Sequence, residues 1–509
     1  MKFLKRFFSK IFVSALLFLL QLSLFFGALF FLNEYFVVFQ ILSGTLAVLV
    51  FFYVVTKKEP PEFKLPWLIL LFVFPFFGLF LYLLFANPKI PKKQGKRLQA
   101  ITKRTRECLT LQKTESEKTQ AYLGSFSGVT GYLDNTSYLH GHLNNRISYF
   151  SVGEDFWQDL LSELAKAEKF IFMEYFIIAN GTMWDSIHKI LQEKAAQGVE
   201  VRVLYDDIGS VGLLEGSFCK KLQKEGIQCH NFNPFRPVLS GIFNNRDHRK
   251  ITVIDGKVGY TGGINLGDEY VNLDHRLGHW KDTAIKIEGS AVRNLCAMFL
   301  HLYDMNCNTV SDYERYLLAP CETFAEEGYV QPFGDGPKPY YSEQIGENNY
   351  LHLIYRAERY VYITTPYLIL DYNLLSALRN AALRGVDVRI VTPHIPDKKL
   401  ILNMTRSNYP HLLQAGVKIY EYTPGFIHAK SLVADDEYAF VGTINFDYRS
   451  LVHHYECGAL LYKTPCIREI KADMDKTIAV SQEITQENFH LSRFARMINA
   501  IMNLFTPML

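Results

Sequence analysis

His248-Arg-Lys250-Ile-Thr-Val-Ile-Asp255, followed by Gly262-Gly263-Ile264-Asn265, returns later in the chain as His428-Ala-Lys430-Ser-Leu-Val-Ala-Asp435, followed by Gly442-Thr443-Ile444-Asn445. On a strand, residues i and i+2 share a face, so His and Lys of each H-x-K project into one place. Apolar Ile251, Val253 and Ile254 in one copy, and Leu432 and Val433 in the other, bury the strand behind them. A turn at Asp255-Gly256 or Asp435-Asp436 and a second strand bring the Asn back to the same end. One imidazole, one ammonium and one carboxamide per copy make a cradle for a phosphate: Lys supplies charge, Asn an N–H, and His a nucleophile or proton carrier. His248, Lys250, Asp255, His428, Lys430 and Asp435 are therefore the catalytic candidates, and Asn265 and Asn445 the substrate-binding ones. Within each motif the Asp is better placed for support at the strand end than for attack. Lys is not a usual zinc ligand, and no His/Cys/Glu set stands at metal spacing, so neither metal nor cofactor is expected.

The repeat extends well beyond the motifs. KFIFMEYFII (169–178) leads into a helical period and then Gly198 and Val199-Glu-Val-Arg-Val203; RYVYITTPYLIL (359–370) leads into another, then Gly385 and Val386-Asp-Val-Arg-Ile390. Gly226 to Pro234 likewise parallels Gly416 to Pro424, after which the first copy carries an inserted loop before His248. Strands alternating with helices predict an α/β fold in two similar halves, at 150–323 and 349–480. Residues 324–348, rich in Gly, Pro and acidic side chains, read as a linker.

Three apolar runs precede the halves, at 11–32, 36–55 and 67–86, the last interrupted by Pro75 and Gly78. Each is long enough for a roughly 30 Å hydrocarbon layer, so 1–88 is expected to be a transmembrane region of a multi-pass membrane protein. Basic residues flank the set at both ends: Lys2, Lys5, Arg6 and Lys10 before it, Lys89 through Arg106 after it. Three crossings would put these clusters on opposite sides, so either one run does not fully cross or one cluster loses. The larger cluster favours a cytoplasmic catalytic domain. Residues 89–149 read as a basic juxtamembrane connector able to attract anionic lipid, and 481–509 as a C-terminal amphipathic helix. A net charge of +3 over 509 residues argues against nucleic-acid binding. The eight cysteines, scattered without a C-x-x-C pair, read as reduced thiols.

In duplicate, these motifs are those of the phospholipase D superfamily, and the chain resembles its bacterial cardiolipin synthases. The resemblance rests on FMEYFI, NNRDHRKITVIDGKVGYTGGINLGDEY, HWKDT, ITTPYL and FIHAKSLVADDEYAFVGTINFDYRS, with the apolar N-terminal segments. It implies two pseudo-symmetric phospholipase D-like halves, each a mixed sheet flanked by helices, sharing one active site. It also implies transfer of a phosphatidyl group between two phosphatidylglycerol molecules through a phosphatidyl-histidine, giving cardiolipin and glycerol. The nucleophile is assigned to His248, with the reverse assignment standing beside it. An orienting carboxylate is expected at each histidine, with Asp282 and Glu456 as candidates and Glu269 and Asp447 next in line. A membrane-anchored phospholipase D-type hydrolase or nuclease would use the same motifs. A catalytically silent scaffold would not need all of them. Oligomeric state is open.

Overall fold

Apolar, β-branched stretches of five to seven residues supply strands for two mixed sheets. In the computed structural model the first sheet runs, edge to edge, Arg146–Phe150, Ala284–Glu288, Val258–Gly262, Lys250–Ile254, Phe170–Tyr175, Glu200–Asp206, Gln228–Phe232. The second runs His142–Leu143, Tyr329–Asp335, Glu456–Tyr462, Tyr438–Gly442, Ser431–Ala434, Tyr360–Thr364, Asp387–Pro393, Lys418–Tyr422, Ser481–Ile484. Remove the two terminal strands of the second sheet and the order is the same. In both, the three strands on one side of the sheet pair parallel and the others antiparallel. Residues 23, 27, 33–86, 92–110, 116–234, 244–318, 320–338, 340–490 and 492–508 are described. The chain divides into a unit of 1–90, 235–244 and 500–509 and a unit of 91–234 and 245–499, which holds both sheets.

Helix Val292–Cys307 is buried nearly all round, as a helix with apolar residues on every face must be. Its Leu295, Phe299 and Leu302 join one core with Phe172 and Ile251 of the first sheet and Val433, Val441 and Leu461 of the second. That shared core ties the two sheets together.

The linker expected at 324–348 is corrected. Tyr329–Asp335 is a strand paired along its length with Glu456–Tyr462, in the place that Arg146–Phe150 takes in the first sheet. Its Gly- and Pro-rich flanks concealed it. Pro332 is tolerated because the outer neighbour, His142–Leu143, reaches only Tyr329 and Val330, so the missing N–H faces no partner. Two boundaries also move. Arg146–Phe150, expected in the connector, belongs to the first sheet, and Ser481–Ile484, expected in the C-terminal helix, is a strand. The helix itself is Arg493–Phe505, with Phe494 and Met497 exposed.

In the other unit, the run at 36–55 lies in helix Asn33–Thr56. The run at 67–86 is split at Phe74 into helices Pro61–Val73 and Pro75–Phe85, because Pro75 lacks the N–H that would continue the first. A Cβ on Gly78 would fall 2.5 Å from the Leu70 carbonyl oxygen, so the chain folds back tightly there. The run at 11–32 falls almost wholly outside the described residues, as do residues 235–243 of the inserted loop. Counted over the residues whose side chains are described, no helix is long and apolar enough to cross a membrane.

One difference between the sheets is energetic. Arg249, between His248 and Lys250, is fully buried, 2.6 Å from Glu174 and 3.5 Å from Asp247. The corresponding positions of the second half hold Ala429, Thr364 and Ile427. Removing one member of a buried ion cluster leaves uncompensated charge, at a cost of about 3–5 kcal/mol, whereas replacing the whole cluster with apolar groups is often neutral. Arg249→Met should therefore lower the melting temperature steeply. The triple variant Glu174→Thr, Asp247→Ile, Arg249→Ala, which copies the second half, should recover most of that loss in the same melting assay.

Candidate active site

Strands Lys250–Ile254 and Ser431–Ala434 lie at equivalent positions in the two sheets, so the histidine just ahead of each leaves its sheet in the same way. What fixes it comes from the opposite half. His248 N–H donates to the Tyr455 carbonyl at 2.9 Å, and Tyr455 N–H to the Arg246 carbonyl at 2.8 Å. His428 N–H donates to the Lys281 carbonyl at 2.7 Å, where Gly425–Ile427 pairs in parallel with His279–Lys281. Each backbone graft delivers a carboxylate. Glu456 takes the His248 Nδ1–H at 2.9 and 3.0 Å to its two oxygens, and Asp282 takes that of His428 at 2.6 Å. Both carboxylates are fully buried. With Nδ1–H committed to a carboxylate, a neutral imidazole presents Nε2 as the free lone pair.

The carboxylates are themselves held. Thr443 Oγ1 donates to Glu456, and Thr283 N–H to Asp282 at 2.9 Å. Where the second motif has Thr443 the first has Gly263, and a Cβ there would sit 2.0 Å from Asp282 Oδ1. Lys250 and Lys430 donate to the carbonyls of His248 and His428. Phe176 stands edge-on to His248, its ring centroid 5.0 Å away, and Trp280 and Tyr270 pack on His428 at 5.4 and 5.6 Å.

Burial, with the two ammoniums, sets the electrostatics. Burial first, then Lys250 and Lys430, pushes His248 well below its ordinary range. Burial and Lys430 bring His428 down to about 4 against the opposing pull of Asp282. Lys250 falls to about 8 and Lys430 to about 7, both chiefly by burial, with nearby carboxylates opposing. Asp282, though penalised by burial, is held below the usual carboxylate range by His428, Lys430 and the Thr283 N–H. The site thus gathers two buried lysines and two neutral imidazoles, each imidazole backed by a buried carboxylate.

Not every candidate gathers here. Asp255 accepts the backbone N–H groups of Glu168, Lys169 and Phe170 at 2.7–2.8 Å, and Asp435 those of Glu358, Arg359 and Tyr360 at 2.8–2.9 Å. Each stands five residues past its Lys, about 16 Å along an extended chain. Listing them among catalytic residues is corrected: they staple the start of the neighbouring strand. Asn265 is buried and engaged by the Ile177 N–H and the Tyr270 hydroxyl, whereas Asn445 Oδ1 is buried with no hydrogen-bond partner among the described residues. Asp447 accepts from Ser450 N–H, so it is no rival for orienting a histidine. Sequence spacing also missed His454. Its ring lies 5.5 Å from that of His248, and with Glu456 the two histidines form a donor set within 4.8 Å. No His/Cys/Glu set stands at metal spacing along the sequence, because this one forms only where residues about two hundred positions apart converge. The neighbouring His453-His454 pair was the only sign of it in the chain.

A family model described as cardiolipin synthase, PLD-like domain, matches residues 160–287 and 350–478, and one described as phospholipase D-nuclease N-terminal matches 45–87. An uncharacterized protein of Streptococcus mutans is 40% identical over 469 residues, 90% of this chain and 99% of that one. Proteins named cardiolipin synthase from Alkalihalophilus pseudofirmus and Geobacillus thermodenitrificans are each 34% identical over 93% of this chain, covering 93% and 94% of theirs. The phosphatidylserine synthase structure from Haemophilus influenzae aligns with a TM-score of 0.56 at 14% identity, over 76% of this chain and 100% of that one, a likeness of fold.

An anion entering this pocket should draw a proton with it. Lys430, at about 7, is half-charged near neutrality, and a phosphodiester beside it raises that value. Dimethyl phosphate binding at pH 7.5–8 should take up a fraction of a proton, read by calorimetry in two buffers of different ionisation enthalpy. Affinity should fall by up to about tenfold per pH unit above 7. In Lys430→Met the proton uptake should shrink and the pH dependence shift toward that of Lys250.

Proposed function

Since the chain belongs to the cardiolipin synthase family built from phospholipase D-like domains, we propose that it transfers the phosphatidyl group of one phosphatidylglycerol to another, giving cardiolipin and glycerol. The observation that carries this reading is the pair of crossed imidazole–carboxylate contacts beside two buried lysines. His248 Nε2 attacks phosphorus while His428 gives a proton to the departing glycerol oxygen. A hydroxyl of the second phosphatidylglycerol then attacks the phosphatidyl-histidine, His428 takes its proton, and the P–N bond breaks. Lys250, Lys430 and the Asn445 side-chain N–H would supply the donors for the phosphate oxygens. An imidazole at about 4 is neutral at physiological pH and has no proton to give from Nε2 in the free enzyme. The arriving phosphate offsets the lysine charges and lifts it, so acid and substrate arrive together.

The same proposal seats the protein in the membrane. Val37, Ile41, Leu42, Leu49 and Phe52 expose half or more of their surface, and lipid is the solvent in which that is stable. Helices of 13 and 11 residues, about 20 and 17 Å long, suit a re-entrant hairpin better than a third crossing. Two crossings among the three apolar runs, rather than three, would leave both basic clusters of the sequence on the cytoplasmic side.

Purified protein given phosphatidylglycerol should release cardiolipin and glycerol in equal amounts; phosphatidic acid as the sole product would mean a hydrolase. A chelator should leave turnover within about twofold, since the lysines supply the field a metal would. His248→Ala and His428→Ala should each abolish turnover, because nucleophile and acid act as a unit. Asp282→Asn and Glu456→Gln should retain the wild-type melting point and lose about 10²-fold or more in kcat, by analogy with the handling of the catalytic imidazole in serine proteases. Wild-type kcat in either would reduce that carboxylate to a structural role.

A further inference from the structure

We propose that His248, His454 and Glu456 form a binding site for a divalent transition metal of the zinc class, and that its occupation shuts down phosphatidyl transfer. The three side chains offer donor atoms all within 4.8 Å of one another. His454 Nδ1 lies 3.6 Å from Glu456 Oε1, close to the roughly 3.4 Å between neighbouring ligands of a tetrahedral ion with bonds of about 2.1 Å. His454 is 8% exposed, and neither of its ring nitrogens has a hydrogen-bond partner among the described residues. Thr443 fixes the carboxylate from behind, the outer support that metal ligands usually have.

The comparison between halves separates this site from a generic feature of the fold. His454 stands two residues before Glu456; two residues before Asp282 stands Trp280. Both rings pack against the catalytic histidine of the opposite half, at 5.5 and 5.4 Å. An indole there makes a wall. An imidazole makes a wall with two nitrogen donors, and it is the half with the imidazole that has the extra donor. Lys250 and Lys430 oppose a cation, so the site is one of moderate affinity rather than a permanent metal centre.

Occupation has a defined consequence for His248, which rests on its catalytic reading above. An ion held by Glu456 and His454 takes the place of the proton on His248 Nδ1. The neutral ring then carries its one proton on Nε2, and the lone pair that attacks phosphorus is gone. Nothing is oxidised, and no proton leaves the ring.

Full-length protein, freed of metal with a chelator and then desalted in detergent, should bind Co²⁺ at one ion per chain with a visible spectrum of nitrogen and oxygen ligation, displaced by Zn²⁺. His454→Trp, which copies the other half, and the smaller His454→Asn should each weaken binding by at least about tenfold. Cys219→Ser, which breaks the facing thiol pair Cys219–Cys229, should not change it. With each variant's rate taken relative to its own metal-free rate, Zn²⁺ should inhibit the wild type at its binding midpoint, reversibly, and the His454 variants only at higher concentration. Wild-type Co²⁺ affinity in both His454 variants, or a thiolate-to-cobalt band lost in Cys219→Ser, overturns the site. Normal Co²⁺ binding without any transferase activity would instead overturn the proposed reaction and leave the metal site standing.

Discussion

Each imidazole at the centre of this protein is held by a carboxylate on the other half, His248 by Glu456 and His428 by Asp282. Much of the architecture follows from that exchange. The two sheets must come close enough for Arg246–His248 to bond Tyr455 and for Gly425–Ile427 to lie beside His279–Lys281. A buried helix with apolar residues on both sides, Val292–Cys307, holds them at that spacing. Behind each motif, an aspartate gathers three backbone N–H groups and fixes where the neighbouring strand begins. The motif therefore spends its acidic residue on the scaffold and borrows the carboxylate its chemistry requires.

Much of this was legible because it is local. H-x-K at strand spacing, repeated with the same offset to Asn, gives two equivalent histidines and two equivalent lysines without any structure. Asp282 and Glu456 could be nominated because each opens an apolar stretch downstream of a motif. Which histidine each serves could not, since strand crossing between halves leaves no trace in spacing. The strand at Tyr329–Asp335 was hidden by the turn-forming residues around it. His454 was hidden for a different reason: its significance lies in the company of His248, two hundred residues earlier.

The two halves are similar in path and unequal in chemistry. One backs its histidine with Glu and a Thr hydroxyl, the other with Asp and a glycine that leaves room for it. One fills the space beneath its motif with Arg249, Glu174 and Asp247, the other with Ala429, Thr364 and Ile427. Asn265 is tied to the backbone, whereas Asn445 has an oxygen with no partner among the described residues. A reaction that needs a nucleophile on one side and an acid on the other gains from such differences, because equivalent groups in equivalent surroundings would compete for the same role.

The crossed carboxylates also bear on the repeat itself. A single half contains a histidine, a lysine and a carboxylate, but its carboxylate reaches away from its own histidine. Alone, it is incomplete. Two identical copies related by a twofold axis would complete each other, each lending its carboxylate across the axis. The repeat in this chain therefore has the arrangement that two such copies would have if joined end to end, with the two sides free to differ.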